Sequence, residues 1–156
     1  MTEQLQFGVT LTDRWAELDA KVAAALRSAL LSEREKEVLR VIAGHRGAAQ
    51  AIRAEEVARQ AGMAWCERAR REIAGVVETA VLLYRIPIGG LRMKPYGYFL
   101  IASAGDLDLA IHPLWGEVYA HLRRLRALTS KTDVARLFGQ AMLQLDAEAG
   151  KPKEAA

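Results

Sequence analysis

The chain has 156 residues, of which 51% are hydrophobic and 26% charged, with a net charge of +3 and a pI near 9.2. That is enough sequence for one domain with its own core plus appended helices, and the composition is that of an ordinary folded protein rather than a disordered or fibrous one. The mild basic bias admits a nucleic-acid partner without demanding one, so the placement of the basic residues matters more than their number.

Residues 13–31 carry Trp15, Leu18, Val22, Ala25, Leu26 and Ala29 at helical spacing, with Thr10 or Thr12 available as a cap. Ser32-Glu-Arg-Glu35 is a capping box, and Val38, Leu39 and Ile42 form one face of the helix it opens. Gly44-His-Arg-Gly47 ends that helix, and residues 51–53 suit a short strand. Arg53 to Ala61 reads as a second short helix with Val57 and Ala58 inward, closed by a turn at Gly62. A longer helical pattern runs from Ala64 to about Leu82, packing through Ile73, Val76, Val77 and Ala80. Residues 81–86 fit either a helix end or a strand. Ile86–Ile88 and Tyr98–Ile101 read as two strands, with Pro87 at an edge and Gly89, Gly90, Pro95 and Gly97 in the loop between them.

Ser103 to Asp106 is a second capping signal. Beyond it Leu107, Ile111, Leu114, Val118, His121/Leu122, Leu125 and Leu128 keep heptad spacing, with Pro113 expected to kink or restart the helix. A last helix is expected from about Asp133 to Ala149, through Val134, Leu137, Phe138, Met142 and Leu145. Residues 150–156 have too little apolar content to pack.

Single residues exclude several functions. The lone Cys66 cannot form an intramolecular disulfide and suits a reducing compartment. Residues 1–9 lack the pattern of a signal peptide, and no run approaches the ~18 apolar residues of a membrane span, so a cytoplasmic protein without membrane contact is expected. His45, His112 and His121 have no ligand-like spacing with Cys66 or with carboxylates, so neither a metal nor another cofactor is expected. Gly89-Gly90 is not followed by the Lys-Ser/Thr of a phosphate loop. No Ser/His/Asp set or carboxylate pair points to catalysis, so the expectation is a binding protein and not an enzyme. Trp15, Trp65 and Trp115 are expected to pack. Of Tyr96, Tyr98 and Phe99, at least one of the last two should enter the core, because strand side chains alternate.

The stretch Arg53-Ala-Glu-Glu-Val-Ala-Arg-Gln-Ala-Gly62, then Arg68-Ala-Arg-Arg-Glu-Ile73, then Ile86-Pro-Ile88 and Tyr96-Gly-Tyr-Phe-Leu-Ile101, resembles the winged helix-turn-helix family. The resemblance is to the group that includes the N-terminal domain of the biotin ligase repressor and small phage-type regulators. It covers a little under half of the chain. It implies a mainly α fold with a small β-hairpin wing (α+β): residues 32–102 as the winged core, flanked by an N-terminal helix in 1–31 and C-terminal amphipathic helices in 103–149. Gly62 to Pro87 is longer than in these families, which implies either an extra helical turn or a separate segment before the wing.

The resemblance makes the longer helix the one that enters the major groove, where its N-terminal half faces base edges. That half contains Ala64, Trp65, Arg68, Arg70 and Arg71. Arginine can bond guanine through two parallel hydrogen bonds, worth roughly 1–3 kcal/mol of discrimination. Arg68 and Arg71 share a face and Arg70 points elsewhere. Arg53 and Gln60 on the preceding helix, and Arg92 and Lys94 at the wing tip, complete the expected contact set. Arg123, Arg124, Arg126 and Lys131 form a possible second basic patch. The expected function is sequence-selective binding of double-stranded DNA by a homodimer, paired through the 13–31 helix, the 106–128 helix or both. It would act as a transcriptional regulator or a phage-type replication accessory factor. The alternative is a winged helix used as a protein-interaction module within a larger assembly.

Overall fold

In the computed structural model, which describes residues 11–149 and the side chains of 16–147, six α-helices accompany one two-stranded antiparallel sheet. The order is α1 (Leu11–Arg27), α2 (Glu33–Ala43), α3 (Ala54–Gln60), α4 (Glu67–Leu82), β1 (Ile88–Leu91), β2 (Gly97–Leu100), α5 (Ala104–Leu128) and α6 (Lys131–Ala149). The protein is therefore mainly helical with a small sheet. The chain divides into two units, residues 1–112 and 113–156.

In the first unit α1 buries Leu18, Val22 and Ala25 against the core that contains Leu39 and Ile42 of α2. Its apolar stripe is thus covered by its own chain. Thr12 lies inside α1 and does not cap it; Thr10 and the Trp15 side chain fall outside the described residues. The Ser32 box forms as expected: the Glu35 amide donates to Ser32 Oγ at 3.3 Å, and the Ser32 amide donates to Glu35 Oε2 at 2.7 Å. Gly44 ends α2, and a single 3-10 turn, Ala48–Gln50, leads on.

The expected strand at 51–53 is reduced to one residue. Ile52 donates to Tyr98 O and accepts from the Tyr98 amide, both at 2.8 Å, so it adds one rung to the free edge of β2. α3 follows at once and ends at Gln60, and Gly62, with a φ of +69°, closes the turn after it. The Met63 amide bonds back to Ala58 O at 2.8 Å.

α4 begins three residues later than its periodicity suggests. Cys66 is extended and acts as the N-cap, its Sγ accepting from the Ala69 amide at 3.5 Å. Ala64 and Trp65 therefore precede the recognition-like helix and are not part of it. Residues 83–87 form a separate connector, within which the buried Ile86 donates to Ala80 O at 3.0 Å. The extra length between Gly62 and Pro87 is thus divided between a delayed helix start and this connector.

The hairpin corrects the sequence expectation. β1 is Ile88–Leu91, so Gly89 and Gly90 lie in the strand and not in the loop, and Pro87 stands before it. The register pairs Ile88 with Leu100, Gly89 with Phe99, Gly90 with Tyr98 and Leu91 with Gly97. Gly89 is required by contact: a Cβ there would lie 2.7 Å from Phe99 Cζ and 2.9 Å from Ala110 Cβ. Phe99 and its neighbour Leu100 are both buried, in two separate apolar clusters, and Tyr98 is half-buried.

Ser103 caps α5 through its Oγ, which accepts from the Asp106 amide at 3.1 Å. α5 runs unbroken through Pro113, so the helix does not restart there, although proline leaves one backbone hydrogen bond unmade. In the second unit α6 starts at Lys131, where the Asp133 amide donates to Ser130 Oγ at 3.1 Å. No side chain among the described residues of that unit is buried. Trp115, expected to pack, is 56% exposed.

Candidate nucleic-acid interface

α4 sorts its side chains by helical period. Ala69, Ile73, Val76 and Ala80 turn into the core, which leaves Glu67, Arg68, Arg70 and Arg71 exposed on the first turns. Glu67 is the local counter-charge: it lies 3.6 Å from Arg70 Nη1 and 3.4 Å from Arg71 Nε. Arg68, on the same turn, forms no ion pair among the described residues. Glu72 faces Arg34 of α2 at 4.0 Å. Exposed pairs of this kind hold side chains only weakly, at about 0–1 kcal/mol, and a phosphate can displace them. Burial pushes the Tyr98 phenol above its ordinary range, and the positive charge of Arg70 acts in the opposite direction. The arginine face of α4 is therefore within electrostatic reach of the hairpin.

A cleft of about 1180 Å³ opens between α3, the residues just before α4 and the turn that joins β1 to β2. Four of the expected contact residues meet there: Arg53, Gln60, Trp65 and Lys94. Arg53 is the N-cap of α3 but makes no side-chain cap bond. Trp65 is 45% exposed, and Tyr96, at the opposite end of the lining in sequence, is 49% exposed. The expectation that Trp65 packs away is thus corrected: the late start of α4 leaves it on a turn with one face open. Arg92 is exposed on the same hairpin turn. Arg68, Arg70 and Arg71 do not line the cleft, nor does Ala64.

Several lining residues had no functional signal in the sequence. Glu56 draws both Arg59 and Gln60 to itself: Arg59 Nε donates to it at 2.8 Å and Gln60 Nε2 at 2.8 Å. The hydrogen bonds from Arg59 and Gln60 hold the Glu56 carboxyl down at about 2. The expected contact residue Gln60 is thus committed through its amide nitrogen to a neighbour on its own helix. His45 Nδ1 lies 2.9 Å from Gln50 O, so that nitrogen carries the proton and Nε2 is the free one. Met63 adds apolar surface. Met63 is half-buried and also packs against the core, and nothing in the sequence hints at its place in the cleft.

The second basic patch lies in the other unit. Arg123, Arg124 and Arg126 are exposed near the end of α5, and Lys131 is the first residue of α6. Arg126 Nη1 donates to Thr129 O at 3.3 Å, one of the carbonyls at the helix end.

Among the described residues no group of His, Cys, Asp or Glu has the arrangement of a metal site, and no helix is long and apolar enough to cross a membrane. Comparison of the chain with protein-family models, with curated proteins and with solved structures finds no match.

Proposed function

We propose that the protein is a winged helix-turn-helix that binds double-stranded DNA sequence-selectively. The observation that carries this reading is the exposed arginine trio of α4 beside a hairpin turn bearing Arg92 and Lys94. The element order supports it too: α2, one bridging residue at Ile52, α3, α4 and then the hairpin, with Ile52 and β1 on opposite edges of β2. In this arrangement α4 enters the major groove. Arg68, the trio member without an ion pair, is the leading candidate for base contact, while Arg70 and Arg71 exchange Glu67 for phosphate. The hairpin turn carries its cations to the adjacent backbone.

The binding form is a homodimer joined through the second unit. The support is the exposed apolar surface of its helices, where Leu114, Trp115, Val118, Phe138, Met142 and Leu145 are all at least 40% exposed. Helices that bury nothing of their own need a partner, and a second copy would pair two readers for a two-fold operator. The covered stripe of α1 disfavours that helix as the joint.

Fluorescence anisotropy with genomic fragments at rising salt tests the DNA reading. Affinity should fall steeply with salt as counterions are released. Arg68→Ala with Arg71→Ala should abolish specific binding. A chain that binds no duplex at any ionic strength, yet captures a partner protein equally well with and without those arginines, is instead an interaction module. Trp65, Met93 and Tyr96, all exposed, are the observation that keeps that second reading in view.

A further inference from the structure

The cleft beside α3 has a chemistry that a duplex alone does not use. It combines two half-exposed aromatic rings, Trp65 and Tyr96, with two cations, Arg53 and Lys94, neither of which forms an ion pair among the described residues. Its volume of about 1180 Å³ is far larger than one intercalating side chain or one phosphate needs. Paired bases in a duplex present their edges and hide their faces. An exposed aromatic ring instead recognises a face, and so requires a base that has left the stack. Aromatic stacking tolerates any base, while Arg and Lys beside it satisfy the sugar-phosphate chain. Glu55, on the α3 side, adds an acceptor for the exocyclic amino group of such a base.

We propose that this cleft holds unpaired nucleotides, so that the protein prefers a junction between duplex and single strand to a continuous duplex. The inference rests on the DNA-binding reading and deepens it. α4 and the hairpin turn grip the paired segment, and the strand leaving it passes between Trp65 and Tyr96. Arg53 and Lys94 neutralise its phosphates. Both rings sit on turns flanked by Gly62 and by Pro95, outside the core, so the site can be altered without dismantling the fold.

The experiment uses the full chain with Trp15→Phe and Trp115→Phe, which leaves Trp65 as the one indole. Anisotropy and Trp65 emission are followed against three probes of the same duplex sequence: blunt-ended, with a four-nucleotide 3′ overhang, and with a four-nucleotide 5′ overhang. At least one overhang should bind about tenfold or more tightly than the blunt duplex, the size expected from stacking of one or two bases. Trp65 emission should be quenched by that probe alone. Trp65→Ala with Tyr96→Ala should remove the preference, so that the variant binds overhang and blunt probes equally, and Trp65→Phe with Tyr96→Phe should restore it. Equal affinity for all three probes would overturn the junction proposal while leaving duplex binding standing. Failure to bind any of the three would overturn both.

Discussion

Asp106 Oδ1 accepts the amide of Ala48 at 2.8 Å, across 58 positions of sequence. Its other oxygen accepts the Ala102 amide at 3.0 Å, so one carboxylate ties the segment after α2 to the start of α5. Burial pushes this carboxyl up, but the hydrogen bonds from Ala48, Ala102 and Ser103 together outweigh it, and the net shift is downward. Asp106→Ala should lower the unfolding free energy by about 1–3 kcal/mol, because two backbone donors lose their acceptor. The pKa is lower in the folded chain than in the unfolded one, so the carboxylate's contribution is complete above the unfolded value of about 3.9 and is lost as pH falls through the folded value. Urea midpoints of wild type and Asp106→Asn should therefore differ at pH 7 and converge in acid. A gap that persists unchanged at low pH would rule out this linkage.

Gly97 stands where the backbone of β2 passes closest to Ile52. A Cβ there would lie 1.9 Å from Ile52 O, and φ is +129°, a conformation that L side chains rarely adopt. Nothing flexible can yield, since the obstruction is backbone. Gly97→Ala should cost about 3 kcal/mol or more, and Gly89→Ala, which presses on the buried Phe99 ring, about 1–3 kcal/mol. Thermal melts followed by circular dichroism measure both. A Gly97→Ala chain as stable as wild type would mean that the Ile52–Tyr98 rung does not form.

How far these features were legible in the sequence follows from the range of the interactions behind them. The Ser32 box and the Val38, Leu39, Ile42 face are local: cap, spacing and core lie within one helix, and the structure follows them. Periodicity alone starts α4 at Ala64, because its true cap is Cys66, a residue with little capping preference that does the work of Ser or Asp. A glycine pair is a turn signal, so the sequence alone places Gly89 in the loop. Its real cause, the Phe99 ring and Ala110, is set by tertiary contact with residues beyond the hairpin turn. The arginines of α4 were visible by period alone. The cleft was not, since Arg53, Trp65 and Tyr96 come from three turns whose meeting depends on the Ile52 bridge.

Glu67 restrains the basic face of α4, lying within ion-pair distance of both Arg70 and Arg71. Glu67→Gln should therefore tighten duplex binding at low salt and steepen the salt dependence, because two guanidinium groups no longer leave a carboxylate to reach phosphate. The effect should be a few-fold in Kd, in keeping with exposed pairs worth about 0–1 kcal/mol. Arg68→Ala should act in the opposite sense and flatten discrimination between sequences. Isothermal titration at two or three salt concentrations distinguishes the two. If Glu67→Gln weakens binding, α4 does not present this face to DNA.

Glu56 poses the same question for α3, at a pH that can be reached. The hydrogen bonds from Arg59 and Gln60 hold its carboxyl at about 2, against an ordinary value near 4.5. In a carbon-detected NMR titration Glu56 should remain ionised well below its ordinary value near 4.5, and Arg59→Ala should return much of the shift. Because the folded value is the lower one, the stability this carboxylate lends is present above the unfolded value and disappears as pH falls through about 2. The consequence for binding is at neutral pH. There the carboxylate holds Arg59 on its own helix, so Arg59 adds little positive charge to the cleft. Glu56→Gln should release it and raise the affinity for nucleic acid at low salt without altering the fold. A titration in which Glu56 protonates near 4.5 would show that Arg59 is already free.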